Sequence, residues 1–225
     1  MNIFVLDNDP KLAAQAHLDK HVVKMIIEYA QLLSTAHRLR DGRFEVHQGP
    51  NTKPKKFWLL GNERVVEKEF IHEHVDEEAC EIVNLYEYKL VIENPVCYSL
   101  SHQNHPSAVW ARESDANYRW LAALFQETSL EYTHRYGRMH KTWIDLKDFL
   151  MTPPKNIPAG DLTPFAQAMG EEFKVHDDAV LAYQNYYVGA KAAFARWTNR
   201  PTPAWFKART KDFDVSLFEG TTALG

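Results

Sequence analysis

The pattern of hydrophobic and polar positions first indicates a long helix near the beginning of the chain, from Asp9 to Arg38. Asp9 is a good N-cap residue, and Pro10 suits the first helical turn, where backbone N–H groups have no partner within the helix. At 3.6 residues per turn, one narrow face carries the polar residues His17, His21, Lys24, Glu28, Gln31 and Thr35. Apolar residues flank this face on both sides, so we expect Glu28 and Lys24 to be buried as a pair or to line a cleft. Two interpretations stay open: an internal salt bridge with core histidines, or a catalytic or ligand-binding cleft.

Further helical patterns cover Glu63–Leu90, Ala108–Tyr136 and Asp177–Trp197. Ser107 is the expected N-cap of the second of these, and Gly137 its C-cap. The sequence therefore predicts a mainly α, all-helical fold with long ordered loops and at most a minor pair of short strands. We expect a single helical domain over residues 1–206, in which 41–101 resembles an insertion and 147–164 is a proline-rich loop or lid. Residues 207–225 are expected to form a poorly ordered tail.

Composition narrows the class of protein. The chain has 225 residues, of which 45% are hydrophobic, enough for one sizeable core. No apolar run approaches the roughly 18 residues of a membrane span, and the acidic N-terminal stretch is unlike a secretory signal, so a cytoplasmic location is expected. Cys80 and Cys97 lack zinc-site spacing and are interpreted as reduced. The net charge of −4 argues against nonspecific coating of nucleic acid, although it allows a local basic cleft.

The motifs for phosphate-loop, dinucleotide, hydrolase-elbow and kinase chemistry are absent from the sequence, and no cofactor is expected. The remaining possibility is catalysis by separate acid, base and amine groups in a helical cleft. His72, His74 and Asp76 resemble metal ligands, but residues two apart on a predicted helix point about 200° away from each other. We therefore expect a solvated acidic face there and no metal site.

Two later stretches also carry candidate functional groups. The loop Glu93–Pro106 brings His105 to the start of a predicted helix, on which Asn117, Glu131 and Arg135 share one face. An inward Glu131–Arg135 pair and a role in a site are equally consistent with this spacing. Near the end of the chain, arginines alternate with Trp197 and Trp205, which suits stacking on bases but more commonly serves to pack a segment onto a core.

Three patches of the sequence resemble the pyrimidine-dimer DNA glycosylases of the endonuclease V type, which are small, all-helical phage repair enzymes. The first is an Asp-Lys-His triplet ending at His21, with Glu28 seven residues later. The second is the turn at Asn104 and His105, which leads into a helix that ends with Glu131, Arg135 and Gly137. The third contains Tyr186, Tyr187, Arg200, Pro201 and Trp205. The chain also resembles phage-encoded proteins of unassigned function.

The resemblance implies a DNA N-glycosylase, with possible AP lyase activity, that acts on a damaged or modified pyrimidine in duplex DNA. In this family an N-terminal amine attacks the sugar C1′ of a flipped nucleotide and forms a Schiff base while a carboxylate manages protons. Glu28 would be that carboxylate, and His21 and Lys24 would hold phosphate. The DNA-binding residues implied are His105, Arg112, Asn117, Arg135 and Arg200.

Other nucleophiles and other functions remain open at this point. Water activated by Glu28, or the amine of Lys20 or Lys24, would serve in place of the Met1 amine. One alternative function is a phage enzyme that modifies a thymine base or a nucleotide. Another is a noncatalytic protein that binds a nucleotide or blocks a host enzyme.

Overall fold

The computed structural model describes residues 2–76 and 81–212, without the side chains of residues 73–76, 81–84, 211 and 212. The α-helices in this part of the chain are α1 (Pro10–Ala16), α2 (Asp19–Asp41), α3 (Pro106–Trp110), α4 (Asp115–Tyr136), α5 (Lys141–Leu150), α6 (Ala179–Lys191) and α7 (Ala204–Asp212). The strands are β1 (Arg43–His47), β2 (Lys55–Leu59), β3 (Arg64–Asp76) and β4 (Glu81–Glu93). Two short 3₁₀ helices cover Glu171–Phe173 and Ala192–Phe194.

The helical body is built around α2, which packs against α4 and α5 while α1 packs against α4. Its inward face contributes Val22, Met25, Ile26, Tyr29, Leu32 and Leu33, all fully buried or nearly so. The N-terminal segment Ile3–Leu6 is buried in the same core without forming a strand. A mainly α fold is therefore confirmed, although strands form a larger part of it than the minor pair that was expected.

The first helical pattern forms two helices instead of the one long helix that the sequence predicts. Asp9 caps α1 as expected, since its carboxylate accepts the Lys11 N–H at 2.7 Å. The break comes at Leu18, whose backbone is extended (φ −70°, ψ 159°). The Asp19 N–H then donates to the carbonyl of Arg196 at 2.8 Å. A contact from a segment almost 180 residues away thus stabilises an interruption that the local pattern does not show.

The predicted helix Glu63–Leu90 is wrong, because this stretch forms most of an antiparallel hairpin of β3 and β4. Its valines, isoleucines and aromatic residues pack well on a pleated surface. A second antiparallel pair, β1 with β2, precedes it, so residues 41–101 contain both hairpins. The helical argument against a metal site also fails, because residues two apart share a face in a strand. The side chains of His74 and Asp76, and all of Cys80, lie outside the described part of the chain.

Helix ends in the second half of the body follow capping rules, with one shift of position. Gly137 ends α4 in the left-handed conformation (φ 67°), as predicted. Ser107 is not an N-cap. His105 caps the short α3, and Ser114 caps α4 by accepting the Asn117 N–H at 3.1 Å. Pro106 at the first position of α3 makes His105 the natural residue to precede it.

The proline-rich loop and the C-terminal segment differ from their predicted bounds by a few residues. The loop begins at residue 151, because α5 continues to Leu150. Helix α6 begins after its N-cap Asp178 and is shorter than the predicted helix Asp177–Trp197. Helix α7 includes residues 207–212, the first part of the predicted tail; residues 213–225 lie outside the description. Among the described residues, no helix is both long and apolar enough to cross a membrane.

Candidate functional site

Glu28 lies midway along α2 at the edge of the buried face, and its side chain is 13% exposed. Its Oε2 accepts the backbone N–H of Asn2 at 3.1 Å, and its Oε1 lies 3.2 Å from the Nζ of Lys24. Lys24 itself is largely exposed. The predicted pairing of Glu28 with Lys24 is therefore present, but Lys24 is not buried as the sequence led us to expect. The carboxylate is held among protein groups, yet part of it still reaches solvent.

Asn2 is fixed by contacts on both sides of its side chain. Its Nδ2 donates to the carbonyl of Ala168 at 2.8 Å, and its Oδ1 accepts the hydroxyl proton of Tyr183 at 2.8 Å. The following residues enter the core, so the backbone N–H of Asn2 is aimed at Glu28 by packing on one side and hydrogen bonds on the other. Met1, whose amine the resemblance implies as nucleophile, lies outside the described residues.

His21 lies one turn before Lys24, and it is buried rather than open to a ligand. Its ring stacks on Phe4 with centroids 4.2 Å apart, and its Nδ1 is hydrogen-bonded to the Tyr187 hydroxyl at 2.6 Å. Burial lowers its pKa to about 3, and the nearby cations Lys191 and Lys24 act in the same direction. The imidazole is therefore neutral at physiological pH. In this arrangement it positions the N-terminal segment and offers no positive charge to a phosphate.

His17 is a fully buried core histidine. Its Nδ1–H donates to the carbonyl of Ala13 at 2.6 Å, which leaves Nε2 to accept the hydroxyl proton of Tyr29 at 2.7 Å. Burial lowers its pKa to about 4, so the ring is neutral. Of the two interpretations that the sequence left open, core histidines describe His17 and His21. Glu28 and Lys24 lie closer to solvent on the same face of the helix.

Two lysines, one near the start of α2 and one at the end of α6, lie over aromatic rings. The Nζ of Lys20 lies 4.5 Å from the centroid of Phe194, and the Nζ of Lys191 lies 4.7 Å from that of Tyr186. Within the described part of the chain, neither lysine has a carboxylate partner. We call Lys20, Lys24 and Lys191 the lysine rim. Although the chain as a whole is acidic, Lys24 and Lys191 both act electrostatically on His21, so the rim is a local cluster of positive charge.

The loop before α3 runs beside the second half of α2. Thr35 of α2 donates its hydroxyl proton to the carbonyl of Ser101 at 3.0 Å, which fastens the loop to the helix. Partial burial lowers the pKa of His105, and the carboxylate of Glu28 acts in the opposite direction. His105 is therefore within electrostatic reach of Glu28.

The remaining predicted DNA-binding residues are held within the protein to different degrees. The side chain of Arg135 is unexposed and binds Glu131 at 2.7 Å and Asp19 at 2.9 Å, so the inward pair that the sequence left open is present. Arg200 pairs with the same Glu131 at 2.8 Å and keeps partial exposure. Asn117 is fully buried and fastens the loop at Thr163 through both ends of its amide.

Arg112 is half-buried, beside a second arginine. Its Nη1 donates to the carbonyl of Ala108 at 2.6 Å, and Arg40 donates to the carbonyl of Arg112 at 2.6 Å. Burial and the charge of Arg40 lower the pKa of Arg112. Thus Glu28 contacts Lys24 and lies within electrostatic reach of His105, whereas Arg135, Arg200 and Asn117 have partners elsewhere in the fold.

Sequence reasoning missed three contributors to this site: the backbone N–H of Asn2, the ring of Phe194 and the placement of Lys191. A Tyr-rich helix ending in Lys191 was a usable signal, because lysine near aromatic rings suits cation–π contacts. The path of residues 2–6 beside α2 gave no local signal, since it is set by the core. No protein-family model, curated protein or solved structure matches this chain.

Proposed function

We propose that the protein is a DNA N-glycosylase that acts on a damaged or modified pyrimidine, with Glu28 as its acid–base residue. The observation that carries the proposal is the environment of that carboxylate. One oxygen accepts the Asn2 N–H, the other lies against Lys24, and the side chain keeps a 13% exposure to solvent. A carboxylate held in this way has a fixed direction and access to a substrate, which are the requirements of general acid–base catalysis.

In the hydrolytic route, Glu28 takes a proton from a water molecule while the water oxygen bonds to C1′ of the nucleotide. The bond between C1′ and the base breaks, and the base leaves with its electron pair and then acquires a proton. The negative charge of Glu28 also stabilises the positive charge that develops on the sugar. In the amine route, an amine nitrogen replaces the water, bonds to C1′ and forms a Schiff base. Lys24 is an amine within 3.2 Å of Glu28.

The lysine rim supports a polyanionic substrate. Its three cations would bind backbone phosphates, and the rings beneath Lys20 and Lys191 would support a base or sugar. A flipped nucleotide would then lie between the rim and the loop that carries His105. His21, neutral beneath Phe4, would keep the N-terminal segment in position rather than bind the substrate.

The test is base release from a panel of duplexes that each carry one damaged or modified pyrimidine. We expect Glu28→Gln to lower the rate by about 100-fold or more, since general acid–base groups contribute about 10²–10⁴. Duplex affinity, measured by fluorescence anisotropy, should be unchanged. Glu172→Gln is the matched control, because Glu172 is an exposed glutamate on a different element, and it should keep the wild-type rate.

Borohydride trapping separates the two routes, because only a Schiff base yields a covalent protein–DNA adduct. A Lys24→Arg variant that loses the adduct would identify Lys24 as the amine. The proposal is overturned if the wild-type protein releases no base from any duplex, or if Glu28→Gln releases it at the wild-type rate. Activity on free nucleotides alone would instead favour an enzyme that modifies a thymine base or nucleotide.

A further inference from the structure

A cavity of about 540 Å³ lies where helix α2 ends. Its wall is formed by the last residues of α2 and of α5, the turn between β2 and β3, and the loop that follows α5. Sites for small molecules are typically cavities of about 300–1,000 Å³. Asp41, which lines this cavity, is about 20 Å from Glu28 along the axis of α2, at 1.5 Å per residue. The cavity is therefore separate from the proposed catalytic site.

Hydrogen bonds hold the walls of this cavity in place. One carboxylate oxygen of Asp41 accepts the backbone N–H of Lys155 at 2.8 Å, and the other accepts that of Asn156 at 2.9 Å. These bonds fasten the loop after α5 to the end of α2. The turn between β2 and β3 is held separately, since Glu63 accepts the backbone N–H of Leu60 at 2.9 Å. A cavity fixed in this way needs little ordering when a ligand binds.

His37 is the buried polar side chain in this wall, and its hydrogen bonds determine which ring nitrogen carries the proton. Nε2 lies 3.1 Å from the carbonyl oxygen of Thr152, which can only accept, so Nε2 carries the proton. The hydroxyl of Tyr118, 2.9 Å from Nε2, donates its own proton to the carbonyl of Leu150 and so accepts from the ring. Burial lowers the pKa of His37 to about 4. The ring is therefore neutral and has a lone pair on Nδ1.

The lone pair on Nδ1 of His37 is an unused acceptor. Among the described residues it has no hydrogen-bond partner, and it is not sealed from solvent. The ring is only 5% exposed, and the cavity is the opening that it lines. Phe149 packs against the ring, with centroids 4.4 Å apart, and holds it in this orientation. Because a nearly buried acceptor gains most from a bonded partner, Nδ1 favours a ligand that brings a donor into the cavity.

The charged groups of the cavity favour a donor that is also a cation. Asp41 lies one helical turn after His37, and its charge acts on the ring, so its carboxylate and Nδ1 are neighbouring acceptors. Asp148 adds a second carboxylate at the outer edge, where it is 93% exposed and lies 3.5 Å from Lys147. Lys155 also lines the cavity, but it is exposed, so solvent screens its charge. An anion would meet the half-buried carboxylate of Asp41, whereas a cation with N–H groups satisfies both acceptors.

We propose that this cavity binds a small organic cation with an apolar body, whose N–H groups donate to Nδ1 of His37 and to the carboxylate of Asp41. Amidinium and primary ammonium groups carry enough N–H donors to reach both acceptors at once. The apolar body would lie against Leu60, Phe149 and Pro153, which supply apolar surface in the wall. The proposal does not depend on the glycosylase activity, because it uses neither Glu28 nor the lysine rim.

The test is isothermal titration calorimetry of the full chain with benzamidine and with benzylamine, two organic cations that each carry an aromatic ring. We expect both to bind with a Kd of about 1 mM or tighter. Benzamide has the shape of benzamidine without its charge, and it should bind at least about tenfold more weakly, because hydrogen bonds between charged groups are the stronger ones. Benzoate has the opposite charge and should bind more weakly still.

Two aspartate variants locate the bound cation. Asp41→Asn keeps the size of the side chain and removes its charge, so it should weaken benzamidine binding at least about tenfold. Asp145→Asn is the matched control, because Asp145 is an exposed aspartate of α5 that does not line the cavity. It should bind benzamidine with the wild-type affinity.

Nitrogen-15 NMR of the histidine rings tests the wild-type protein directly, whether or not a variant folds. Benzamidine should shift the Nδ1 signal of His37, which is assigned by its absence from His37→Phe. The signals of His17 should stay in place, because both of its ring nitrogens are already bonded within the protein.

Several results would overturn the proposal. One is that neither cation binds the wild-type protein, and another is that benzamide or benzoate binds as tightly as benzamidine. A third is a His37 signal that does not move. Wild-type affinity in Asp41→Asn would place the cation elsewhere, and an equal loss in Asp145→Asn would show attraction to negative charge in general rather than to this cavity.

Discussion

Arg38 offers the sharpest test of how the hairpins are joined to the helical body. Its guanidinium is fully buried and binds both carboxylate oxygens of Glu63, at 2.8 and 3.1 Å. It also donates to the carbonyls of Trp58, Cys97 and Tyr98, at 2.6–3.0 Å. Helix α2, strand β2 and the segment after β4 thus meet at one side chain.

We predict that Arg38→Met lowers the free energy of unfolding by about 3–5 kcal/mol, the cost of removing one partner of a buried ion pair. Methionine fills much of the volume, so most of the loss comes from the Glu63 charge and the unpaired carbonyls. The matched control is Lys141→Met, which removes a cation from an exposed pair with Asp145 and should cost about 1 kcal/mol or less. Urea denaturation measures both.

The pH dependence of this loss gives a second check. In the wild-type protein, burial by itself raises the pKa of Glu63, but the hydrogen bonds from Arg38 and from the N–H groups of Leu60 and Val96 outweigh it, and the pKa is lowered. Its contribution is therefore complete above the unfolded pKa and is lost as the pH falls. Without Arg38 the pKa rises, so protonation favours the folded variant and the deficit shrinks as the pH falls. A loss no larger than that of Lys141→Met, or one independent of pH, would refute this reasoning.

Three further predictions concern a core histidine, the lysine rim and the ion pairs of α4. Burial lowers the pKa of His17 from 6.5 to about 4, so the unfolded chain binds a proton that the folded chain excludes, and stability falls as the pH drops through this range. In His17→Asn, the free energy of unfolding measured by urea denaturation should fall less between about pH 7 and pH 5. An unchanged fall would contradict the assignment of His17 as a buried, neutral histidine. Lys191→Ala should weaken duplex binding for every sequence and reduce the slope of log binding constant against log salt concentration by about 1. Lys141→Ala should change neither quantity. Equal effects of the two substitutions would show that the lysine rim does not contact the DNA. Arg200→Ala should cost about 1 kcal/mol or less, because Arg135 still pairs with Glu131; a thermal unfolding loss several times larger would disprove this.

Local rules explain which parts of the fold the sequence predicts. The Asp9 cap, the Gly137 terminus and the placement of Glu28 beside Lys24 depend on neighbouring residues, and all three are present. The helix prediction for the hairpin fails because its hydrophobic positions fit both the 3.6-residue repeat of a helix and the two-residue repeat of a strand. Its richness in β-branched residues was the signal that should have decided between them.

Long-range contacts determine the features that the sequence did not predict. The break at Leu18 depends on Arg196, and the direction of the Asn2 N–H depends on Ala168 and Tyr183. Neither contact leaves a pattern among sequence neighbours. The same holds for Arg135, whose burial requires Asp19 of another helix as well as the local Glu131.

Helix α2 is fastened near both of its ends by buried or partly buried charges. Asp19 binds Arg135 at 2.9 Å at one end, and Arg38 binds Glu63 at the other. Glu28 lies about 14 Å from each fastening point, at 1.5 Å per residue. A slide of the helix along its axis, even by one turn, would break both fastenings at once. The position of the Glu28 carboxylate along the helix axis is therefore fixed by ion pairs at both ends of α2.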